Sequence, residues 1–386
     1  MERLLKLALN KFDEVPATLK DSAGAAVSEF KVNLASIYHH YYLDTHGCVP
    51  PDPDPAHFEP VRFLAATDDF RFLGSGLGIG TMARRNRSSE LGSAFCRMFL
   101  HDHLGITYFE HVERVLNKSA SGPLNGFRLE RTVSGDIPDY LCASSPELVF
   151  LAEAKGSYQS INFKNKEFEK WRKQFTRIIV KDPSGEERPV KGYIVATRWA
   201  TEDGPSSVSS TLLAEDPVTA GRRPLSHEEA LPLGRQIVSR HYATIADKLD
   251  QPVLAAALSS GSIIPPELRL RAVVWEILLG PMQGRRFVGG YFCPPGTDLT
   301  IREQDDKFFF GPAHPFRLGR ERGTFFGLEE SIFRALVQAA RSAQRLPQIP
   351  PLQEIVPFHS AVSILRDGSI LAPVGLLAAS NRFVEY

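Results

Sequence analysis

Cysteine is scarce in this chain. Four occur in 386 residues, and Cys48, Cys96, Cys142 and Cys293 stand far apart with no CxxC pair. That excludes a disulfide framework and a zinc-knuckle spacing, and the expectation is a reducing, cytoplasmic setting. Charge of one sign is also missing, with 45 basic side chains against 45 acidic. A histone-like coat binder is thereby excluded, whereas a partner gripped by a local basic patch is not, because phosphates need positive charge only where they lie. Long apolar runs are absent too: VLAAAL and VWEILLG fall far short of the roughly 20 residues a membrane span needs, and the second has Glu276 inside it. There is no internal repeat, no sizeable low-complexity tract, and no GxSxG or paired Cys and His arrangement for covalent catalysis.

What is present reads as an ordinary globular protein, 43% hydrophobic and 23% charged, long enough for two domains. The start, MERLLKLALNKFDEV, reads as an amphipathic helix, as does SEFKVNLASIYHHYYL, until the proline-rich PPDPDPAHFEP breaks the chain. Residues 1–60 are therefore expected to be an N-terminal helical segment and linker. In RRNRSSELGSAFCRMFLHDHLG, Ser88 or Ser89 can cap a helix whose apolar stripe is Leu91, Ala94, Phe95, Met98 and Phe99, with Gly105 as its stop. ITYFEHVERVL, FRLERTV, IPDYLCA and ELVFLAEAK follow as strands, NKEFEKWRKQFTRII as a helix with Phe168, Trp171, Phe175 and Ile178 on one face, and KGYIVATRWA as a strand. The order predicts a compact α/β domain over 61–200. The Ser, Pro, Gly and Thr-rich stretch from Thr201 to Arg223 reads as a boundary or long surface loop. A second domain is expected over 224–386, opening on the capping box SHEE ahead of a helix that reaches about Leu249. Its strands are LRLRAVVWEILL, RRFVGGYF and KFFFG. A helix covers about Leu328 to Ala343, and ILRDGSIL reads as an Asp-Gly hairpin.

Chemistry concentrates in GDIPDYLCASSPELVFLAEAKGS. Alternation along the strand ending at Lys155 sends Val149, Leu151, Glu153 and Lys155 to one side, so an acid and a lysine share a face at the exit of an otherwise apolar run. A run apolar on both faces marks a central strand, and charges at its end need partners or a metal. An antiparallel hairpin through SSPE brings Asp139 beside Glu153. Two adjacent carboxylates repel unless a divalent cation lies between them, and all-oxygen ligation suits Mg²⁺ or Mn²⁺. A lysine on the same face can orient a water and stabilise charge as a phosphate is attacked.

Pro138-Asp139, thirteen intervening residues and Glu153-Ala154-Lys155 resemble the PD-(D/E)xK signature of the restriction-endonuclease-like nuclease superfamily. The resemblance covers about Ser88 to Ala200. It implies a core with a mixed central sheet flanked by helices, here with an N-terminal helical segment and a C-terminal α+β domain. It implies a Mg²⁺-dependent (or Mn²⁺-dependent) endonuclease acting on nucleic acid, DNA first, in settings such as anti-phage defence or toxins. Asp139 and Glu153 would hold the metal with the Ala154 carbonyl, and Lys155 would position the water. Glu90, on the preceding helix, would assist the metal, and Gln174, on the following helix, would face the site. Cutting both strands together needs two sites, so a homodimer or an activating protein partner is expected.

Two other ExK-like triplets lack this context: Glu29-Phe30-Lys31 lies in a stretch read as helical, and Asp305-Asp306-Lys307 in a polar connection. Arg84, Arg85 and Arg87 before Glu90, and Lys164, Lys166, Lys170, Arg172, Lys173 and Arg177 after the motif, would flank a cleft and suit a polyanion backbone; the bland alternative is a solvated helix face. GSGLGIG lacks a P-loop lysine and reads as a flexible loop. His101-Asp102-His103, with His39, His40 and Cys48 upstream, supports an alternative as a zinc hydrolase, though no spacing is diagnostic. A non-catalytic module binding nucleic acid or a protein on the same fold is a further alternative.

Overall fold

The structure is a computed structural model and describes residues 2–45, 53, 58–116, 126–219, 221, 227–292, 299–312, 323–342, 352 and 360–386. The protein is mixed α/β, with a large mixed sheet flanked by helices. It divides into two units, Glu2–Asp44 with Glu59–His241, and Thr45–Phe58 with Tyr242–Tyr386. No helix among the described residues is long and apolar enough to cross a membrane.

In the first unit, strands β1 (Glu2–Asn10) and β2 (Glu29–Asn33) lead into helix α1 (Leu34–Thr45), and a long helix, α2, spans Thr81–Leu104. Strands β3 (Tyr108–His111), β4 (Tyr140–Ser145) and β5 (Leu148–Ser157) follow, then helix α3 (Lys166–Gln174) and strands β6 (Lys191–Arg198) and β7 (Thr211–Glu215). The division between units falls within helix α4 (His227–Lys248). These seven strands make one sheet in the order β2-β1-β7-β6-β5-β4-β3. β3, β4 and β5 pair antiparallel in sequence, β6 joins β5 in parallel across α3, and β1 runs parallel to β7. A separate small sheet pairs Arg128–Arg131 with Ile178–Lys181, so FRLERTV forms a strand outside the main sheet.

Two expectations are corrected. The opening residues are a strand, not a helix: Leu5 and Leu7 are buried while Lys6 between them is exposed, which is the period of two that places alternate side chains in a core. Glu29-Phe30-Lys31 accordingly lies in strand β2, antiparallel to β1, and both strands belong to the main sheet. The presumed loop after Thr201 contains β7, which sits between β1 and β6 with Leu212 and Leu213 buried. Its register pairs Lys6 with Thr211, a partner far off in the chain. β7 also carries a buried anchor, Glu215, fully enclosed and bound by Arg172 of α3 through two nitrogens at 2.7 Å, with Lys11 at 3.2 Å. Burial alone would raise the Glu215 carboxyl, but the bonds from Arg172, Asn10 and Lys11 together outweigh it and the pKa is lowered. This bond fixes α3 against the sheet.

Helix α2 begins at Thr81, more than two turns earlier than a cap at Ser88 or Ser89 would set it, and ends at Gly105 in the left-handed conformation, φ 70°. It packs on β5 at the closest approach in the unit. A Cβ on Gly156 would lie 1.8 Å from the Ser88 carbonyl oxygen, and one on Gly92 2.5 Å from the Gly156 nitrogen. Only two glycines let these backbones meet.

The second unit is an eight-stranded antiparallel sheet. Its strands are β8 (Arg271–Ile277), β9 (Arg286–Phe292), β10 (Leu299–Gln304), β11 (Lys307–Pro312), β12 (Thr324–Glu329), β13 (Ser363–Ile364), β14 (Ser369–Pro373) and β15 (Leu377–Glu385), in the order β10-β11-β15-β8-β9-β12-β14-β13. Helices α5 (Pro252–Ser260) and α6 (Glu330–Arg341) accompany it. Trp275, Phe287, Phe310, Phe325 and Ile370 form its core, and the turn of the β13–β14 hairpin holds Gly368 at φ 85°. The expected capping serine, Ser226, lies outside the described residues.

Candidate functional site

Strand β5 is buried from Val149 to Ala154, apolar on both sides as a central strand must be. The two faces meet different helices. Gly156 and the other even-numbered residues turn toward α2. Leu151, Glu153 and Lys155 share the face of their β6 partners Gly192, Ile194 and Ala196, and a Cβ on Gly192 would lie 2.4 Å from the ring of Phe175, which follows α3. Glu153 and Lys155 therefore open on the α3 side.

Strand β4 pairs with β5 through Tyr140 opposite Ala152. Continued along the chains, that register sets Asp139 opposite Glu153 and Ala154 opposite Pro138. Proline has no N–H, so the ladder has no donor to offer the Ala154 carbonyl. The Ala154 N–H is taken instead by Asp139 Oδ2, at 2.7 Å. In a strand the carbonyl of a residue points to the same side as its N–H, so the Ala154 oxygen is turned toward the Asp139 side with no ladder partner. The Pro-Asp pair ends the ladder and places a carboxylate where it ends.

Three charges converge there. Lys155 Nζ lies 3.5 Å from Asp139 Oδ2 and in ion-pair contact with Glu153 Oε1. Glu153 is fully buried, and neither of its oxygens accepts a well-formed hydrogen bond among the described residues. Burial pushes its carboxyl well above the usual carboxylate range, and the neighbouring Asp139 carboxylate adds to this, with the Lys155 ammonium pulling the other way. Burial also works against the lysine's charge, but the two carboxylates outweigh it and hold its pKa above the ordinary lysine value. A buried acid that meets only the lysine on one oxygen, a second acid across the strand and a backbone carbonyl are an all-oxygen donor set that fits Mg²⁺ or Mn²⁺. The structure brings together the three side chains that the hairpin register sets side by side.

Gln174 is also enclosed, at the end of α3, and its Oε1 has no hydrogen-bond partner among the described residues. Glu90 is not brought to this site. It is exposed on α2, at 3.4 Å from the Tyr41 hydroxyl, whose pKa rises to about 12 through burial and the Glu90 charge. Helical phase explains this. Ser88 and Gly92 face β5, and Glu90 midway between them falls about 200° around the helix.

Among the basic residues, Lys164, Lys166 and Lys173 are exposed, while Lys170 is exposed and paired with Glu167 at 2.8 Å. Arg172 is committed to Glu215, and Arg177 donates to the Asp136 carbonyl at 2.8 Å. Arg87 pairs with Glu59 at 2.6 Å, whereas Arg84 and Arg85, near the start of α2, form no ion pair among the described residues.

A buried network escaped sequence reasoning because its members are scattered along the chain. Asp44 Oδ1 meets the Tyr140 hydroxyl at 2.8 Å, Arg97 Nη1 at 3.1 Å and His111 Nε2 at 3.2 Å, and the Arg97 guanidinium lies 4.5 Å from the Phe109 ring centre. Tyr140 is adjacent to Asp139 in a strand, so this network holds the β4 entrance from the opposite face. Of the zinc candidates, His40, His101 and Asp102 come together, with ligand atoms within 4.8 Å of one another. His103 instead meets Thr18 and the Phe30 ring, His39 does not join the group, and Cys48 lies outside the described residues.

No family model, curated protein or solved structure matches the chain.

Proposed function

We propose that the protein is a metal-dependent nuclease that hydrolyses phosphodiester bonds, with a restriction-endonuclease-like core running from α2 through β6. The observation that carries the reading is the meeting of Asp139, Glu153 and Lys155 on one face where the β4–β5 ladder ends. The element order supports it as well: a helix, three antiparallel strands, a helix, and a strand returning parallel to the third. A bound Mg²⁺ or Mn²⁺ would supply Lewis acidity toward the phosphate and a more acidic water. Asp139, Glu153 and the Ala154 carbonyl would hold the cation. Lys155, fixed between the two carboxylates, orients the attacking water and meets the negative charge that grows on the phosphate. The Asp139 bond to the Ala154 N–H keeps that carboxylate from turning away. Glu90 is left out of the site, and Gln174, enclosed on the α3 side, is a positioning residue. DNA is the first substrate to try, and anti-phage defence or toxin action is the biological setting that suits such an enzyme.

The test incubates plasmid, single-stranded DNA and RNA with the protein in Mg²⁺, Mn²⁺ or EDTA, beside Asp139→Ala and Lys155→Ala. Cleavage is expected only with metal, with each variant losing about 100-fold or more. Cleavage that persists in EDTA, or in both variants, overturns the mechanism. Binding without cutting under every metal would favour a non-catalytic module.

One observation favours a second reading, as a zinc hydrolase: the convergence of His40, His101 and Asp102. It requires near-stoichiometric zinc in the purified protein, lost in His40→Ala and His101→Ala.

A further inference from the structure

The loop ahead of α2 and the first turn of that helix present two large apolar side chains to solvent. Ile79 is fully exposed, at 104% relative accessibility, and Met82 is 73% exposed. Exposure of that kind is usual in a slack loop, but this one is tied down. Leu77 is fully buried and its N–H donates to the Tyr158 hydroxyl at 2.8 Å. Gly74 N–H donates to Glu202 at 3.0 Å, and its carbonyl accepts from the Asp203 N–H at 3.0 Å. Gly76, at φ 99°, passes so close to the Tyr158 ring that a Cβ would lie 2.6 Å from it. The pair therefore stands between backbone anchored at Gly74–Leu77 and the first turn of α2.

Its surroundings say what it meets. Tyr158 stands three residues beyond Lys155 at the exit of β5. Arg84 and Arg85 follow Met82 within a turn of helix and form no ion pair among the described residues, while Glu202 at the loop base turns its carboxylate onto the Gly74 N–H. Apolar side chains flanked by unpaired arginines are the chemistry of a wedge that unstacks bases while its neighbours hold the phosphates.

We propose that Ile79 and Met82 are a wedge that enters double-stranded nucleic acid and unstacks a base step several nucleotides along the duplex from the cutting site, with Arg84 and Arg85 gripping the flanking phosphates. This rests on the nuclease reading. Cys96 Sγ lies 4.0 Å from the Glu153 carbonyl, and Met82 is fourteen helical residues before it. Gly92, beside the Lys155 backbone, is ten residues beyond Met82, so at 1.5 Å per residue the wedge stands about 15–21 Å along the helix from the level of the site, roughly four to six nucleotide steps.

The test uses full-length protein carrying Lys155→Ala, to prevent cutting, and duplexes with 2-aminopurine placed at successive positions. Fluorescence is expected to rise at one step. In Ile79→Ser with Met82→Ser that rise should vanish and duplex affinity fall about tenfold, with the thermal midpoint unchanged because both side chains are already in water. Arg84→Ala and Arg85→Ala should each lower the salt slope of binding by about one. Duplex binding that is unaffected by the double serine variant, with no unstacking in either protein, overturns the wedge and leaves the nuclease reading standing. Failure of the Lys155→Ala protein to bind any nucleic acid overturns both. Binding to phosphatidylserine vesicles that depends on Ile79 and Met82, with duplex binding unchanged in their absence, assigns the patch to a membrane and overturns the proposal.

Discussion

Glu153 is a side chain whose removal should improve the fold and destroy the proposed activity. Its carboxyl is fully enclosed, and burial together with the Asp139 charge works against its ionisation more strongly than the Lys155 ammonium favours it, so the acid costs the core more than a neutral amide of the same shape. Glu153→Gln should therefore leave the thermal midpoint in chelator equal or higher, while cleavage is lost. A fall of many degrees would mean that the ion pair with Lys155 is structural. Glu90→Gln, in contrast, should leave cleavage unchanged, because Glu90 faces Tyr41 and not the site. Asp139, Glu153 and Lys155 were legible in the sequence because a hairpin and an alternating strand are local rules, readable from a dozen residues. Glu90 was misjudged because helix phase, set by where Gly92 meets Gly156, is decided by packing and not by proximity to the motif. The Asp44 network was invisible for a related reason: residues 44, 97, 111 and 140 meet only after folding.

That network couples elements, and its titration is a second test. Burial alone would raise the Asp44 carboxyl, but its bonds to His111, Arg97 and Tyr140 hold it at about 2. The stabilisation, about 2 kcal/mol by linkage, is whole above the unfolded value near 4 and is lost as pH falls through about 2. His111 behaves in the opposite sense. Burial lowers its pKa, Asp44 outweighs burial and raises it, so its share is present below about 6.5 and is lost as pH climbs through the folded value. The midpoint difference between the wild type and Asp44→Asn, followed by calorimetry, should be greatest in the mildly acidic range and shrink on both sides. At the crossing of α2 and β5, Gly156→Ala should be far more damaging than an exposed glycine substitution. Its methyl would sit 1.8 Å from the Ser88 oxygen, and the helix must lift or the strand must bend, costing about 3 kcal/mol or more. A midpoint within a degree of wild type would show that the close approach is absent in solution.

The scale of the molecule is where the sequence was least informative. The α/β character and the strand order β3-β4-β5 were readable, because neighbouring strands make short connections. The position of β1 was not, because LKLALN is short enough to suit helix or strand, and the deciding partner, β7, lies about two hundred residues on. A fragment covering 61–200, which local reading marks as a domain, lacks β1, β2 and β7, and leaves an edge of β6 open. It should be insoluble or unfolded by circular dichroism and amide exchange, whereas 1–248 retains every strand of the main sheet. The same insertion of the first strand between later ones sets a clock on synthesis. At roughly 5–20 residues per second, β1 waits some tens of seconds at the slower end before Thr211–Glu215 is made, with its edge unpaired meanwhile. If the chain does cut nucleic acid, it becomes dangerous only once translation has passed the strand that closes the sheet, so a ribosome-stalled or truncated product would be harmless to the cell that made it.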